Sequence, residues 1–160
     1  MRSRHVTLMG FVALLLVAAV AGSARAGDPP GNNGTVRVNG DALDGPGNDA
    51  HVGCAFQIEF RGFDQGDLLG IARVELVPPS GRAGLVEQAV WIGEDAAGGA
   101  TDLDALMDVD LFDPIAATGA GAQAGQGFHV RLTVSAEGSI GADTKHKTFW
   151  ADCGGEGSPG

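Results

Sequence analysis

An all-β fold is what this sequence predicts: an antiparallel β-sandwich of about seven short strands, closed by one disulfide. Three observations predict it. Apolar and polar residues alternate with a period of two along several short segments, as half-buried strands require. Turn residues interrupt those segments every eight to twelve residues or so, the spacing of sandwiches and barrels. The chain also carries 27 glycines in 160 residues. A glycine inside a helix costs about 1 kcal/mol against alanine, so this composition disfavours long helices.

Residues 1–26 read as an export signal that precedes the fold. Arg2 and Arg4 make a basic start, Met9 to Ala21 is an apolar run, and Ser23-Ala24-Arg25-Ala26 supplies small residues for A-x-A cleavage. The run is about 13 residues long, short of the ~20 that cross a bilayer comfortably, so a cleaved signal is expected in place of an anchor. Taking 26 residues from 160 leaves 134, enough for one domain with a core.

The mature chain is then read element by element. Residues 27–34, GDPPGNNG, form a flexible leader, and the domain runs over 35–153. Val36 and Val38 alternate with Arg37 and Asn39, and 41–49 is a turn-rich link. Residues 52–60 give the clearest strand, with Cys54, Phe56, Ile58 and Phe60 on one face and Gln57 and Glu59 on the other. After a break at 63–67, Leu69 to Val77 places Ala72, Val74 and Leu76 opposite Arg73 and Glu75, until Pro78-Pro79-Ser80-Gly81 stops it. Leu85 to Ile92 directs Val86, Val90 and Ile92 one way and Glu87 the other. Gly127 to Ser135 and Thr144 to Ala151 are the last two strands, and 154–160 is a flexible tail.

The segment 101–111 fits two templates. As a strand it faces Leu103, Ala105, Met107, Val109 and Leu111 inward, points Asp102, Asp104, Asp108 and Asp110 out, and leaves Leu106 exposed. As a helix it gathers Leu103, Leu106, Met107 and Leu111 on a stripe behind a Thr101/Asp104 capping box, but puts Asp110 on that stripe. The four outward aspartates favour the strand. Residues 116–126, AATGAGAQAGQ, read as a loop.

Cys54 and Cys153 are the only cysteines, and both follow the signal. An even count in an exported chain predicts a disulfide, with Cys54 pointing into the core and Cys153 just after the last apolar segment. A zinc site would need about four ligands, and neither cysteine has a C-x-x-C partner. Seven strands in roughly 120 residues match an immunoglobulin-like count. The antibody signature itself is absent, because Trp91 lies 37 residues past Cys54 and the chain has no tyrosine.

Two stretches, GNNGTVRVNGDALDGPGNDAHVGCAFQIEFRGFDQGD (31–67) and GFHVRLTVSAEGSIGADTKHKTFWADC (127–153), resemble a group of small exported proteins of actinobacteria, described as hypothetical secreted or cell-surface proteins. The resemblance covers most of the mature chain. It implies export and paired cysteines, and no activity or ligand.

Composition narrows the function classes. The signal holds three of the ten basic residues and none of the twenty acids, so seven bases face twenty acids afterwards, a net charge of −13. Phosphate would repel such a surface, which argues against nucleic acid or an anionic membrane as partner. No membrane span is expected once the signal is cleaved.

Candidate sites are sparse. Asp41, Asp44 and Asp49 crowd one turn and are the candidate metal ligands, but the calcium-loop pattern D-x-[DN]-x-[DN]-G is missing and solvated acids explain them. His51, His129 and His146 stand on separate segments without metal-ligand spacing. Ser139 lacks the glycine two residues before it that a nucleophile elbow needs. Trp91 and Trp150 are the candidate ligand-binding residues, as a sugar-stacking platform if exposed. Each lies in an apolar strand, so core packing is expected for both.

The expected function is an exported, non-catalytic domain that binds or supports components outside the cell or at its envelope, with no cofactor. An alternative is a carbohydrate- or calcium-dependent envelope-binding protein; a small secreted hydrolase is a third reading.

Overall fold

Alternation along the chain builds nine strands and one short helix in the residues described by the computed structural model, 33–43, 45, 50–93 and 102–154. The expected signal at 1–26, most of the leader and tail, and Asp44 and Asp49 lie outside them. The elements are β1 (Thr35–Val38), β2 (Asp41–Ala42), β3 (His51–Gly53), β4 (Ala55–Arg61), β5 (Leu69–Leu76), β6 (Ala83–Trp91), β7 (Leu103–Asp110), α1 (Phe112–Thr118), β8 (Phe128–Ala136) and β9 (Thr144–Asp152). They form a four-stranded sheet in the order β2-β1-β4-β7 and a five-stranded sheet in the order β3-β9-β8-β5-β6.

Both sheets contribute every second side chain to one buried cluster. Ile58, Phe60 and Val109 enter it from the first sheet, and Val74, Leu132 and Phe149 from the second. Phe56 and Phe149 meet edge to face with ring centroids 5.6 Å apart, a contact between the two sheets. Gly70 on β5 is buried where the Phe60 ring approaches, and a Cβ there would collide with that ring. Each fully buried large side chain contributes on the order of 1.5–3 kcal/mol of transfer free energy.

The expected strand over 52–60 is two strands in two sheets. β3 pairs with β9, β4 pairs with β1 and β7, and Cys54 stands between them. The period of two runs unbroken through Val52, Cys54 and Phe56, so alternation alone does not mark the change of sheet. β3 also runs parallel to β9, whereas the other pairs of strands are antiparallel. Cys54 is half-buried at the edge of the core and bonded to Cys153, as the cysteine count predicts.

The segment after residue 102 is the strand β7. Met107, Val109 and Leu111 are buried and Leu106 is exposed, as the strand template requires. Leu103, expected to face inward, is instead 40 % exposed. The reason is a register shift between Phe60 and Arg61, after which Arg61 opposes Leu103 and the alternation is out of step. Ala116 to Thr118, expected in a loop, end α1. Asp110 Oδ1 accepts the Phe112 N–H at 2.9 Å at its start, Ile115 is its buried anchor, and left-handed Gly119 closes it.

β9 carries an inward surprise. Lys145 and Lys147 share the buried face with Phe149 and Ala151. Lys145 Nζ donates to the Ile140 carbonyl at 2.7 Å. Lys147 has no hydrogen-bond or ion-pair partner among the described residues.

Candidate functional site

The outer face of the five-stranded sheet gathers the aromatic and titratable side chains that the sequence scatters. Register places His51 of β3 opposite Trp150 of β9, and Trp150 opposite His129 of β8. Because outward positions recur every second residue, Trp150 shares this face with His146 and Asp152 on β9.

Trp150 is half-buried and packs against His129, with ring centroids 4.5 Å apart and planes inclined by 31°. Two bonds to the β5–β6 turn hold His129. Its Nδ1 lies 2.6 Å from the Pro78 carbonyl oxygen, and its backbone N–H donates to Ser80 Oγ at 2.7 Å. A carbonyl oxygen only accepts, so Nδ1 is the donor, and Nε2 of the neutral ring remains an acceptor. Among the described residues, no ring covers the other face of Trp150.

A hollow of about 540 Å³ opens beside this row, within the roughly 300–1,000 Å³ common for small-molecule sites. His51, Gln123, Gln126 and Asp152 supply its polar side chains, and Gly125 and Gly127 bare backbone. One wall is a tight turn: the Gln123 N–H donates to Gly127 O at 2.8 Å, and the Gly127 N–H returns to Gln123 O at 3.0 Å. Gly127 is required here. Its φ is +87°, and a Cβ would collide with the Ala151 carbonyl. Asp152 Oδ1 accepts the Gly154 N–H at 3.3 Å, on the far side of Cys153.

A second hollow of about 400 Å³ lies over the bulge between Val74 and Glu75, with Arg73, Glu87, Leu85 and Thr133 among its lining residues. Arg73 donates to Glu87 through Nε at 2.9 Å and Nη2 at 3.2 Å. That hydrogen bonding first, and the opposite charge second, hold the Glu87 carboxyl below the usual glutamate range and the Arg73 guanidinium above its own. Both groups are solvated, so the pair fixes the sheet surface more than it creates reactivity.

The remaining sequence candidates are dispersed. Asp41 is exposed on β2, apart from the row. The three histidines share the outer face of one sheet, yet among the described residues no group of three or more metal-binding side chains assembles. Ser139 is buried, and its hydroxyl donates to the Ala136 carbonyl at 2.7 Å, which closes a turn. The tryptophans are not core residues: Trp91 is 38 % exposed beside Leu69 on the edge strand β6. Nor do they make one platform, because β8 and β5 separate their strands. The cross-strand row of His51, Trp150 and His129 is what sequence reasoning missed; the only trace of it is that each is outward in its own alternating segment.

No protein-family model matches the chain, and a search of curated proteins finds no match to it.

Proposed function

We propose that the chain is an exported, non-catalytic domain, an immunoglobulin-like antiparallel β-sandwich that acts outside the cell or at its envelope as a binding or structural module. The Cys54–Cys153 disulfide carries this reading, because such bonds form and persist in oxidising compartments. The basic start, apolar run and A-x-A site at residues 1–26 support the same destination.

Strand adjacency supports the immunoglobulin-like build. In that pattern three strands of one sheet follow the order C-F-G, and the other sheet holds A, B and E. Here β5-β8-β9 supply the first trio, β6 adds a flanking strand, and β1-β4-β7 supply the second. Buried side chains pooled from both sheets support a sandwich. The non-catalytic reading draws on Ser139, whose hydroxyl is committed to a turn.

Expression of the full chain in an exporting bacterial host tests the proposal. The expected product lies outside the cytoplasm, begins at Gly27 by mass and has no titratable thiol. Recovery from the cytoplasm with an intact N-terminus and free thiols would overturn it.

A further inference from the structure

We propose that the accessible part of Trp150, away from His129, and the hollow beside its strand form a subsite for gluco-configured oligosaccharides. The inference rests on the reading of the chain as an exported binding module and adds a site and a ligand class to it.

Sugar rings offer two chemistries at once: a flat patch of C–H groups and a rim of hydroxyls that both donate and accept. The site offers their complements side by side. Trp150 is half-buried and its ring is already fixed by His129, which is itself held by Pro78 and Ser80, so its accessible part loses little motion on stacking. Beyond it, the amides of Gln123 and Gln126 both donate and accept, Asp152 accepts, and His51 adds an imidazole. Among the described residues, no lysine or arginine lines the hollow, which suits a neutral polyol better than a phosphate or sulfate ester.

Spacing extends the argument to more than one ring. Trp150 and Asp152 are outward neighbours on β9, separated by roughly 6.5–7 Å. A sugar stacked on the indole therefore places its neighbour, and not itself, over the carboxylate and amides. Equatorial hydroxyls leave both faces of a gluco-configured ring flat enough to lie on the indole, whereas the axial hydroxyl of a galacto-configured ring blocks one of the two and so restricts how a linked chain can lie across the site. Trp91 lacks this setting: its cross-strand neighbour is Leu69, and neither described hollow on this sheet includes it.

The test is a fluorescence titration of the oxidised protein carrying Trp91→Phe, so that Trp150 is the sole indole. Cellotetraose and N-acetylchitotetraose are the probes, with glucose and galactotetraose as comparisons. At millimolar sugar, at least one gluco-configured tetramer is expected to produce a saturable change in emission. Glucose and galactotetraose should bind at least about tenfold more weakly, a gap of about 1.4 kcal/mol. Gln126→Ala and Asp152→Asn alter exposed side chains and keep the fold, and each should weaken tetramer binding several-fold. No saturable change with either tetramer, equal binding of galactotetraose, or binding indifferent to both substitutions would overturn the subsite. Such a failure in a protein that is exported and disulfide-bonded leaves the module reading standing; cytoplasmic protein with free thiols would sink that reading instead.

Discussion

Cys54 and Cys153 lie with their Cα atoms 4.6 Å apart across 99 residues of sequence. Their bond joins the residue at which the chain passes from one sheet to the other to the end of the last strand. Closing a loop of that length removes denatured-state entropy worth about 4–5 kcal/mol, less any native strain. Cys54→Ser, or reduction of the wild type, should lower stability by several kcal/mol, read as a fall in the urea midpoint and faster proteolysis. A midpoint unmoved by reduction would contradict this.

Gly127→Ala should cost about 2–3 kcal/mol, since it combines a left-handed backbone with a clash against Ala151 O. Gly121→Ala is the control. It lies in the same connection, and a Cβ there meets nothing within 4 Å. Paired urea denaturation curves should separate the two substitutions.

Lys147 invites the opposite change. It is 5 % exposed, faces inward opposite Leu132, and lacks a partner among the described residues. What the core holds is its aliphatic stem, and a thioether of similar shape keeps that packing without confining a long charged side chain to one path out of the core. Lys147→Met should therefore raise stability, by on the order of 1 kcal/mol, measured by chemical denaturation at neutral pH.

The Arg73–Glu87 pair sets a direction for acid sensitivity. The folded carboxyl titrates below its unfolded value of about 4.5. Its stabilisation is therefore complete above that pH and is lost as pH falls through the lower folded value. The stability difference between wild type and Glu87→Gln should shrink on acidification from about pH 5 to about pH 3. Added salt should also shrink it, because both groups are exposed.

Two aspartates of β7 should answer substitution differently. Asp104 Oδ2 accepts the part-buried backbone N–H of Phe63 at 3.0 Å, while Asp108 Oδ1 meets an exposed Gln57 amide at 2.8 Å. Asp104→Ala strands a backbone donor and should cost about 1–3 kcal/mol. Asp108→Asn should stay within about 0.5 kcal/mol. Thermal melts of both variants check the contrast.

Alternation makes the facing of β4, β5 and β8 legible in the sequence, down to the exposure of Leu106 on β7, because a half-buried strand writes its burial directly into its residue types. The disulfide was legible from cysteine count. The change of sheet at Cys54 was not, since residues on both sides keep the same parity. The helix was missed because its one buried anchor, Ile115, sits just before a run of small residues with no stripe. The inward lysines leave no signal in residue type, because lysine ordinarily stands at the surface. The row of His51, Trp150 and His129 depends on register between strands far apart in sequence, which no local pattern encodes.

The place of β9 between β3 and β8 governs when this molecule can assemble. Until Thr144–Asp152 arrives, β3 has no strand to lean on and Cys54 no sulfur to meet. A chain that emerges N-terminus first therefore completes this edge and its cross-link only when its last strand is available, whereas β1-β4-β7 and β6-β5-β8 can pair before that.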